Sequence, residues 1–557
     1  MSRGATTESE PALAAGTTAS DSTTQVLDRD STAVIAPHGH TPVPAAPVPA
    51  APAGKQTAKW GLPLVVLVVG MFMSVLDTSI INVAIPTMQT EFGVSTEDIQ
   101  WVSNVYTLCL GVVVPTSAWL GDRLGLRRLY LISLIAFSAS SVLCGLANGL
   151  DSMIVYRILQ AIPGGIIPVT CLTMLYRMVP KEKIGTAMGM YGLGIVVAPA
   201  IGPTLGGYLV DNFSWRLIFF VNAPVGVIGA LAAMVVLPRF AGSPSRKFDL
   251  PGFVCIAVGA FALLLAVSEG QQWGWTSYRV LILAALGINL LALFVAIELS
   301  TEQPLLDVRI LTYWPFVNSL LLISALSIGL FAMLFFLPVF LQEGQNITAF
   351  NSGLLLLPES LVMAVLMPIA GRLFDKIGPR WLAAVGLSIA AYGTYLLSAI
   401  NADMTHAEVI WWTCIRGLGN GMAMMPIMTA GLSVLPPRYT SFGSAFNTLV
   451  QRCSAAFGLA ALNALATTQQ AQLMASRSAL ISGAGANINP LILSMQQHGR
   501  GGLIPVWQQL KLQIQAQAYS NAFLIAGAFT LIGAILALFL RQRRMAAEAE
   551  FVVIEIG

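Results

Sequence analysis

Apolar residues recur along this chain in long uninterrupted runs. They do not alternate as in a half-buried strand, nor form the three-to-four-residue stripe of a surface helix. A helix needs about 20 apolar residues to cross a hydrocarbon core ~30 Å thick. Runs of that length fall near 62–86, 101–121, 128–147, 152–175, 186–208, 217–237, 250–269, 279–298, 316–340, 353–373, 380–400, 408–430, 443–466 and 519–540, with short polar breaks between most of them. Lipid cannot hydrogen-bond a backbone, so such runs predict helices. The expected fold class is all-α membrane, with 14 spans.

The flanks read differently. Residues 1–59 are rich in Ala, Thr, Ser and Pro, without an apolar stretch of signal-peptide length, and predict a disordered cytoplasmic tail. With the N-terminus placed inside, nineteen Lys and Arg fall on inner loops and helix ends and five on outer ones. That asymmetry sets both termini in the cytoplasm, including a C-terminal tail over 541–557. The long outer segment 467–518 is expected to be a solvated connector, with a flap or a partner surface for a periplasmic adaptor as the alternatives.

Composition narrows the function. Of 557 residues, 56% are apolar and only 10% charged, against about 25% charged in soluble domains. A water-soluble enzyme, a disordered protein and a disulfide-stapled secreted domain are all excluded. A net charge of +3 gives no reason to expect nucleic acid. The six cysteines lie in apolar runs without CxxC spacing. No metal-ligand cluster, GxSxG elbow or phosphate-binding loop occurs, so no enzyme activity, cofactor or metal is expected.

The chain repeats itself. "LGDRLGLRR" (Leu120 to Arg128) after the second span is echoed by "LFDKIGPR" (Leu373 to Arg380) after the tenth, and "RILQAIPGG" (Arg157 to Gly165) by "RGLGNGM" (Arg416 to Met422). Asp375 follows Asp122 by 253 residues and Arg416 follows Arg157 by 259. Such offsets predict two six-helix halves separated by two extra spans: 60–240, an inserted pair over 241–310, and 311–540. A substrate path between halves that rock against each other is the physical expectation.

Ionisable groups in hydrocarbon are costly unless paired or hydrated, and so mark function. Here they are Asp77, Arg157, Glu359, Arg416 and Arg452. Counted at 1.5 Å per residue, the first four lie roughly 4 to 9 Å outward of the midplane and Arg452 slightly inward. His38, His40, His406 and His498 all fall in the tail or outer loops, so protons must ride carboxylates. Asp77, Arg157 and Glu359 are the expected proton-coupling residues. A permanent Asp77–Arg157 bridge is the structural alternative for the first pair. Glu359, just after Pro358, is a second proton site, the partner of a cationic substrate, or a hydrated interfacial acid. Asn82, Gln160, Phe331, Phe335, Glu359, Asn447 and Gln451 are the candidate substrate contacts. Gly121, Asp122, Arg123, Gly125, Arg127 and Arg128, with Asp375 and Arg380, are candidate gate residues; Asp122 is expected at a helix N-terminus across the half-interface. Small residues at Gly194, Ala198 and Gly202 recur every four positions and let a neighbouring helix approach; Pro203, Gly206 and Gly207 add a bend point.

At these residues the chain resembles the major facilitator superfamily and, within it, the fourteen-span drug:proton antiporters of the EmrB/QacA type. "LDTSIINVAIP" (Leu76 to Pro86) is similar to that group's first-helix motif, which implies that Asp77 carries the proton. Gly121, Asp122, Arg123, Gly125, Arg127 and Arg128 match the inner-turn motif, with Ala118 in place of its leading Gly. Arg157 and Gln160 match the fourth-helix motif, where Ala161 replaces a Gly and Pro163 intrudes. "GPTLGG" (Gly202 to Gly207) resembles the antiporter signature. "WRLIFFVNAPVG" (Trp215 to Gly226) is similar to the opening of the sixth helix. "FNTLVQRCSAAFG" (Phe446 to Gly458) resembles a family stretch in which Cys453 and Ser454 replace glycines.

The resemblance implies the major facilitator fold and a proton-coupled multidrug efflux antiporter of the cell membrane, working as a monomer on amphipathic, cationic compounds by alternating access. Its partners are then protons, membrane lipids and a small-molecule or lipid substrate. Export of a native lipid, siderophore or metabolite on the same scaffold is the main alternative. A uniporter or symporter, and a membrane-embedded sensor or enzyme, are the others.

Overall fold

The computed structural model describes residues 60–240, 248–345, 347–401, 403–482 and 503–540. The expected tails, the stretch 241–247 and the middle of the outer segment, 483–502, lie outside the described residues. Among those described there are helices and turns and no strand. The first half comprises α1 (Gly61–Phe92), α2 (Thr96–Val113), α3 (Thr116–Leu124), α4 (Leu126–Gly145), α5 (Leu150–Met178), α6 (Ile184–Asn212), α7 (Leu217–Phe220) and α8 (Asn222–Val236). The inserted pair is α9 (Leu250–Trp273) and α10 (Tyr278–Ser300). The second half comprises α11 (Trp314–Gly344), α12 (Ala349–Ile377), α13 (Pro379–Leu397), α14 (His406–Ser433), α15 (Thr440–Ser482) and α16 (Leu503–Ala537).

Helices occupy all fourteen expected segments. Eleven are long and apolar enough to cross a membrane, or twelve when the bent pair α2–α3 is taken as one span. That pair turns by 58° where Pro115 removes a backbone donor. The other two segments, α13 and α14, fall below that apolarity; α14 carries Arg416 and Asn420 and has several glycines. The helix set is compatible with fourteen spans. Local signals set the ends. Ser95 accepts from the Asp98 N–H at 3.1 Å to start α2, and Thr405 with Glu408 forms a capping box on α14.

The sequence repeat reappears in the backbone. Gly125 between α3 and α4 has φ +83°, and Gly378 between α12 and α13 has φ +81°. Both inner turns therefore use the left-handed conformation that glycine adopts without strain. α12 runs as one helix through Pro358, and α6 through Pro199 and Pro203. One segment departs from expectation. The outer segment 467–518 is helical at both ends: α15 continues to Ser482 and α16 begins at Leu503. At 1.5 Å per residue, the 43 residues of α15 extend about 65 Å, twice what a span requires.

Apolar packing is organised by height. One continuous core joins the two halves at the ends the sequence assigns to the cytoplasm, from Leu64 and Tyr191 in the first half to Phe316, Met367 and Phe442 in the second. Toward the opposite ends the core divides. Ile80, Met88, Val102 and Trp215 belong to the first half alone, while Phe336, Leu397, Tyr519 and Phe523 belong to the second. The halves are thus packed together at one end of the helices and separately at the other.

Candidate functional site

The mid-membrane charges sit at the height where the core divides, and on α1 the boundary falls between Leu76 and Ile80. Asp77 is 1% exposed and Arg157, on α5, is fully buried. Arg157 Nη1 donates to Asp77 Oδ2 at 2.6 Å and to Gln160 Oε1 at 2.8 Å. Gln160 Nε2 and Asn222 Nδ2 donate to Asp77 Oδ1 at 2.9 and 3.1 Å. The same Asn222 amide reaches Ser141 Oγ at 3.1 Å. Arg157 Nε donates to the Val102 carbonyl at 3.1 Å, and its guanidinium lies 3.8 Å from the centroid of the Tyr106 ring. Four helices, α1, α2, α5 and α8, therefore meet on one carboxylate and its arginine. Such a network supplies Asp77 with three donors without water, and the alternative of a static bridge has the same geometry.

The second half repeats the arrangement with the acid moved. Arg416 Nη2 on α14 donates to Glu359 Oε1 on α12 at 2.5 Å, and both residues are buried. Arg416 Nη1 reaches the Gly329 carbonyl of α11 at 3.4 Å. Glu359 follows Tyr106 by 253 residues, the same offset that relates the inner turns. Thus the arginine is common to both halves, but its acid comes from the first helix in one and from the second helix of the repeat in the other. Gly417 makes room for the pair, since a Cβ there would lie 2.7 Å from Glu359 Cγ.

Of the candidate substrate contacts, Gln160 belongs to the Asp77 network and Glu359 to Arg416. Gln451 lines a small open pocket with Ser327, Leu330, Met363, Asn420 and Met424. Asn447 is 1% exposed with both side-chain polar atoms unpartnered, one turn before Gln451 on α15. Asn82 and Phe335 are exposed and Phe331 half-buried, and none of the three lines that pocket. Residues that sequence reasoning did not single out are Tyr106, Ser141, Asn222 and Asn420. Repeat-register pairing of Tyr106 with Glu359 is the signal that could have found the first. For Asn222, the only hint was a lone amide in the apolar run "FFVNAPVG".

A family model described as Major Facilitator Superfamily matches residues 67–459. The chain belongs to that superfamily. It is 33% identical over 497 residues to the uncharacterized MFS-type transporter YhcA of Bacillus subtilis (strain 168), covering 86% of this chain and 93% of the relative. To the "Multidrug resistance protein B homolog" of Mycobacterium tuberculosis (strain ATCC 25618 / H37Rv) it is 30% identical over 524 residues, covering 91% and 96%. Among solved structures, the proton:xylose symporter XylE superposes with a TM-score of 0.54 at 13% identity, covering 84% of this chain and 94% of that one; this likeness concerns the fold. As a member of the superfamily the chain is a multi-pass membrane transporter.

The superfamily's inner-turn residues lie where the halves are joined. Asp375, at the end of α12, accepts from the Gly185 and Thr186 N–H groups at 2.9 and 3.0 Å and from Thr186 Oγ1 at 2.8 Å. It therefore caps α6 of the opposite half, the place expected for its repeat partner Asp122. Asp122 itself faces Arg177 at 3.6 Å, and Arg177 donates across the interface to Ser441 Oγ at 3.1 Å. Arg127 donates to the Met234 carbonyl. Arg123 stacks over Trp119 and Arg380 over Trp381, while Arg128 is exposed. Gly121 packs against Leu126. The expected antiporter glycines line α6 toward α1. A Cβ on Gly194 would meet the Val68 carbonyl at 3.1 Å, on Gly202 the Ser79 hydroxyl at 2.2 Å, and on Gly206 the Ile80 carbonyl at 3.0 Å. The other side of α6 meets α12, with Gly185 against Gly371 near the inner end and Pro203 against Gly353 farther out. Gly207 has more room, Phe350 lying 3.9 Å from where its Cβ would stand.

Proposed function

We propose that this transporter is a proton-coupled efflux antiporter of amphipathic compounds, monomeric in the cell membrane with both termini cytoplasmic. The observation that carries the proposal is the Asp77 carboxylate, buried at the dividing height of the core with both oxygens held by Arg157, Gln160 and Asn222. Tilting the halves changes which helices meet there. A protonated Asp77 has no charge for Arg157 to pair with, so proton binding and the closed network compete for the same carboxyl. Coupling requires only that proton and cargo favour opposite arrangements. The name of the tuberculosis relative, multidrug resistance protein, supports a drug-like cargo. Both acids are held by arginines, which withdraws the observation on which a cationic cargo rested. A lipid cargo would need a lateral opening. One route passes between α6 and α12, where glycines bring the backbones together, and the other between α2 and α15, where α9 packs on both.

In proteoliposomes with an imposed pH gradient, Asp77→Asn is expected to abolish gradient-driven ethidium movement while the purified protein stays monodisperse. Wild-type coupling ratios in the variant would remove Asp77 from the mechanism.

A further inference from the structure

One turn along from the Glu359–Arg416 pair, the second half opens a small pocket. It is lined by Met363, one turn after Glu359 on α12, and by Asn420, one turn after Arg416 on α14. Ser327 of α11, Met424 and Met428 of α14 and Gln451 of α15 line it as well, and among its described lining residues none is charged. The α12 wall is close to the pair. A Cβ on Gly417 would stand 2.7 Å from Glu359 Cγ and 3.4 Å from Met363 Cγ, and one on Gly421 would stand 3.2 Å from Met363 Cα. Asn420 is 4% exposed, and its Nδ2 has no partner. Gln451 hydrogen-bonds to no described residue.

The first half fills the same place. In the register of the repeat, Met363 answers to Leu110, 253 residues earlier, and Asn420 to Ala161, 259 earlier. Leu110 and Ala161 pack with Tyr106, the counterpart of Glu359, in one apolar cluster. The fold itself therefore requires no pocket here. Buried polar groups of native proteins find partners, and leaving one without costs stability. An amide that the chain leaves unsatisfied in the wall of a pocket is set for a guest.

The lining selects the guest by chemistry. Asn and Gln each offer a carbonyl acceptor and amide donors, which a planar carboxamide answers on both counts. A bare charge would enter without a counter-charge, since Glu359 and Arg416 take each other. The pocket is small and so admits a head group of a few atoms, while three methionines, unbranched and polarisable, let its wall adapt.

We propose that this pocket is a cargo subsite for an uncharged hydrogen-bonding head group, a carboxamide or an equivalent carbonyl beside an N–H, borne on an apolar body. The inference deepens the efflux reading and rests on it. Hydrogen bonding then replaces charge as the means by which the second half selects its cargo.

The test is binding without any gradient, so it can fail while Asp77-dependent coupling survives, and the reverse. The full chain, with ¹³C-methyl methionine, is placed in phosphatidylcholine nanodiscs, and the signals of Met363, Met424 and Met428 are assigned by single replacement with Leu. Four probes are titrated: 2-naphthamide, 2-isopropenylnaphthalene of the same shape, 2-naphthoate and a naphthylmethyl trimethylammonium salt. Naphthamide is expected to displace these three methyl signals and to bind about tenfold or more tighter than the hydrocarbon or either ion, the scale of one or two satisfied hydrogen bonds. Asn420→Leu and Gln451→Met, close in volume, should each weaken naphthamide by about five- to tenfold and leave the hydrocarbon within about twofold. Because Asn420 lacks a partner in the empty protein, Asn420→Leu should also keep or raise the thermal midpoint, whereas a structural asparagine would lower it. Gln451→Met keeps the test available if Asn420→Leu does not fold. A wild type that binds amide and hydrocarbon equally or either ion best, naphthamide shifts confined to other methionines, an amide preference that survives both variants, or a lowered midpoint in Asn420→Leu overturns the proposal.

Discussion

Asn222 donates one amide to two acceptors, Asp77 Oδ1 and Ser141 Oγ, and so ties α8 to the acid of α1. Removing a hydrogen bond to a buried charged group costs about 1.5–3 kcal/mol. Asn222→Ala is expected to lower the thermal midpoint of the detergent-solubilised protein. In a double-mutant cycle with Asp77→Asn the losses should be less than additive, by about 0.5–3 kcal/mol for groups in one network. Additive losses would mean that Asn222 acts on α4 alone. At this scale the charged residues were legible because hydrocarbon makes any charge conspicuous: Asp77 and Arg157 meet as their shared depth suggested, and the neutral Gln160 was found through the fourth-helix motif. Neutral partners outside a motif were not legible. An Asn or Tyr in an apolar run carries no sign of which way it faces, and Tyr106 and Asn222 became meaningful only once four helices were assembled around them.

Among the helices, α6 stands between α1 and α12 and presents small residues to both. The face toward α1 is the tighter at mid-height, where Gly202 leaves no space for a methyl group against Ser79. Gly202→Val should therefore overpack the α1–α6 contact, costing about 1–3 kcal/mol and displacing the helix that carries Asp77. Expression-corrected thermal stability and proton-coupled efflux should both fall, whereas Gly207→Ala, whose Cβ would meet Phe350 and Val83 at an ordinary contact distance of 3.9 Å, should leave stability nearly unchanged. The period-four glycine spacing made this contact readable in advance. The helices run on through Pro203 and Pro358, because a proline deletes one hydrogen bond and neighbouring groups can absorb the loss. Ser74 does so in α5, donating at 3.1 Å to the Gly164 carbonyl that Pro168 leaves free. The length of α15 was hidden for another reason: polar residues such as "TTQQAQ" end a hydropathy run without ending a helix.

Across the whole molecule, one apolar core joins the halves at one end of the helices, the end that the Lys and Arg asymmetry predicts to be cytoplasmic, and two separate cores stand at the other. Asp375 contributes three hydrogen bonds to that junction, at the positive end of α6. Asp375→Ala should release it. With about 1.5–3 kcal/mol lost per charge-assisted group, the population ratio shifts by roughly ten- to a hundredfold toward the inner-open form. Spin labels on the inner ends of α6 and α12 should report longer distances, and an unchanged distribution would place the latch elsewhere. The repeat at Asp122 and Asp375 announced a paired device. Asp122 was the copy expected to cap the opposite half and Asp375 forms that cap instead, since the two turns are locally alike and differ only in what the fold sets before them.

The inserted hairpin has a mechanical meaning. α9 leans on α2 of the first half and on α15 of the second, with Glu269 accepting from Asn104 at 3.2 Å on the α2 side. A strut braced against both moving bodies cannot accompany both. The polar tether binds it to the first, so if the halves rock as proposed the swing would shear along the α15 side, like a door with a stiffened jamb, freer along one edge than the other.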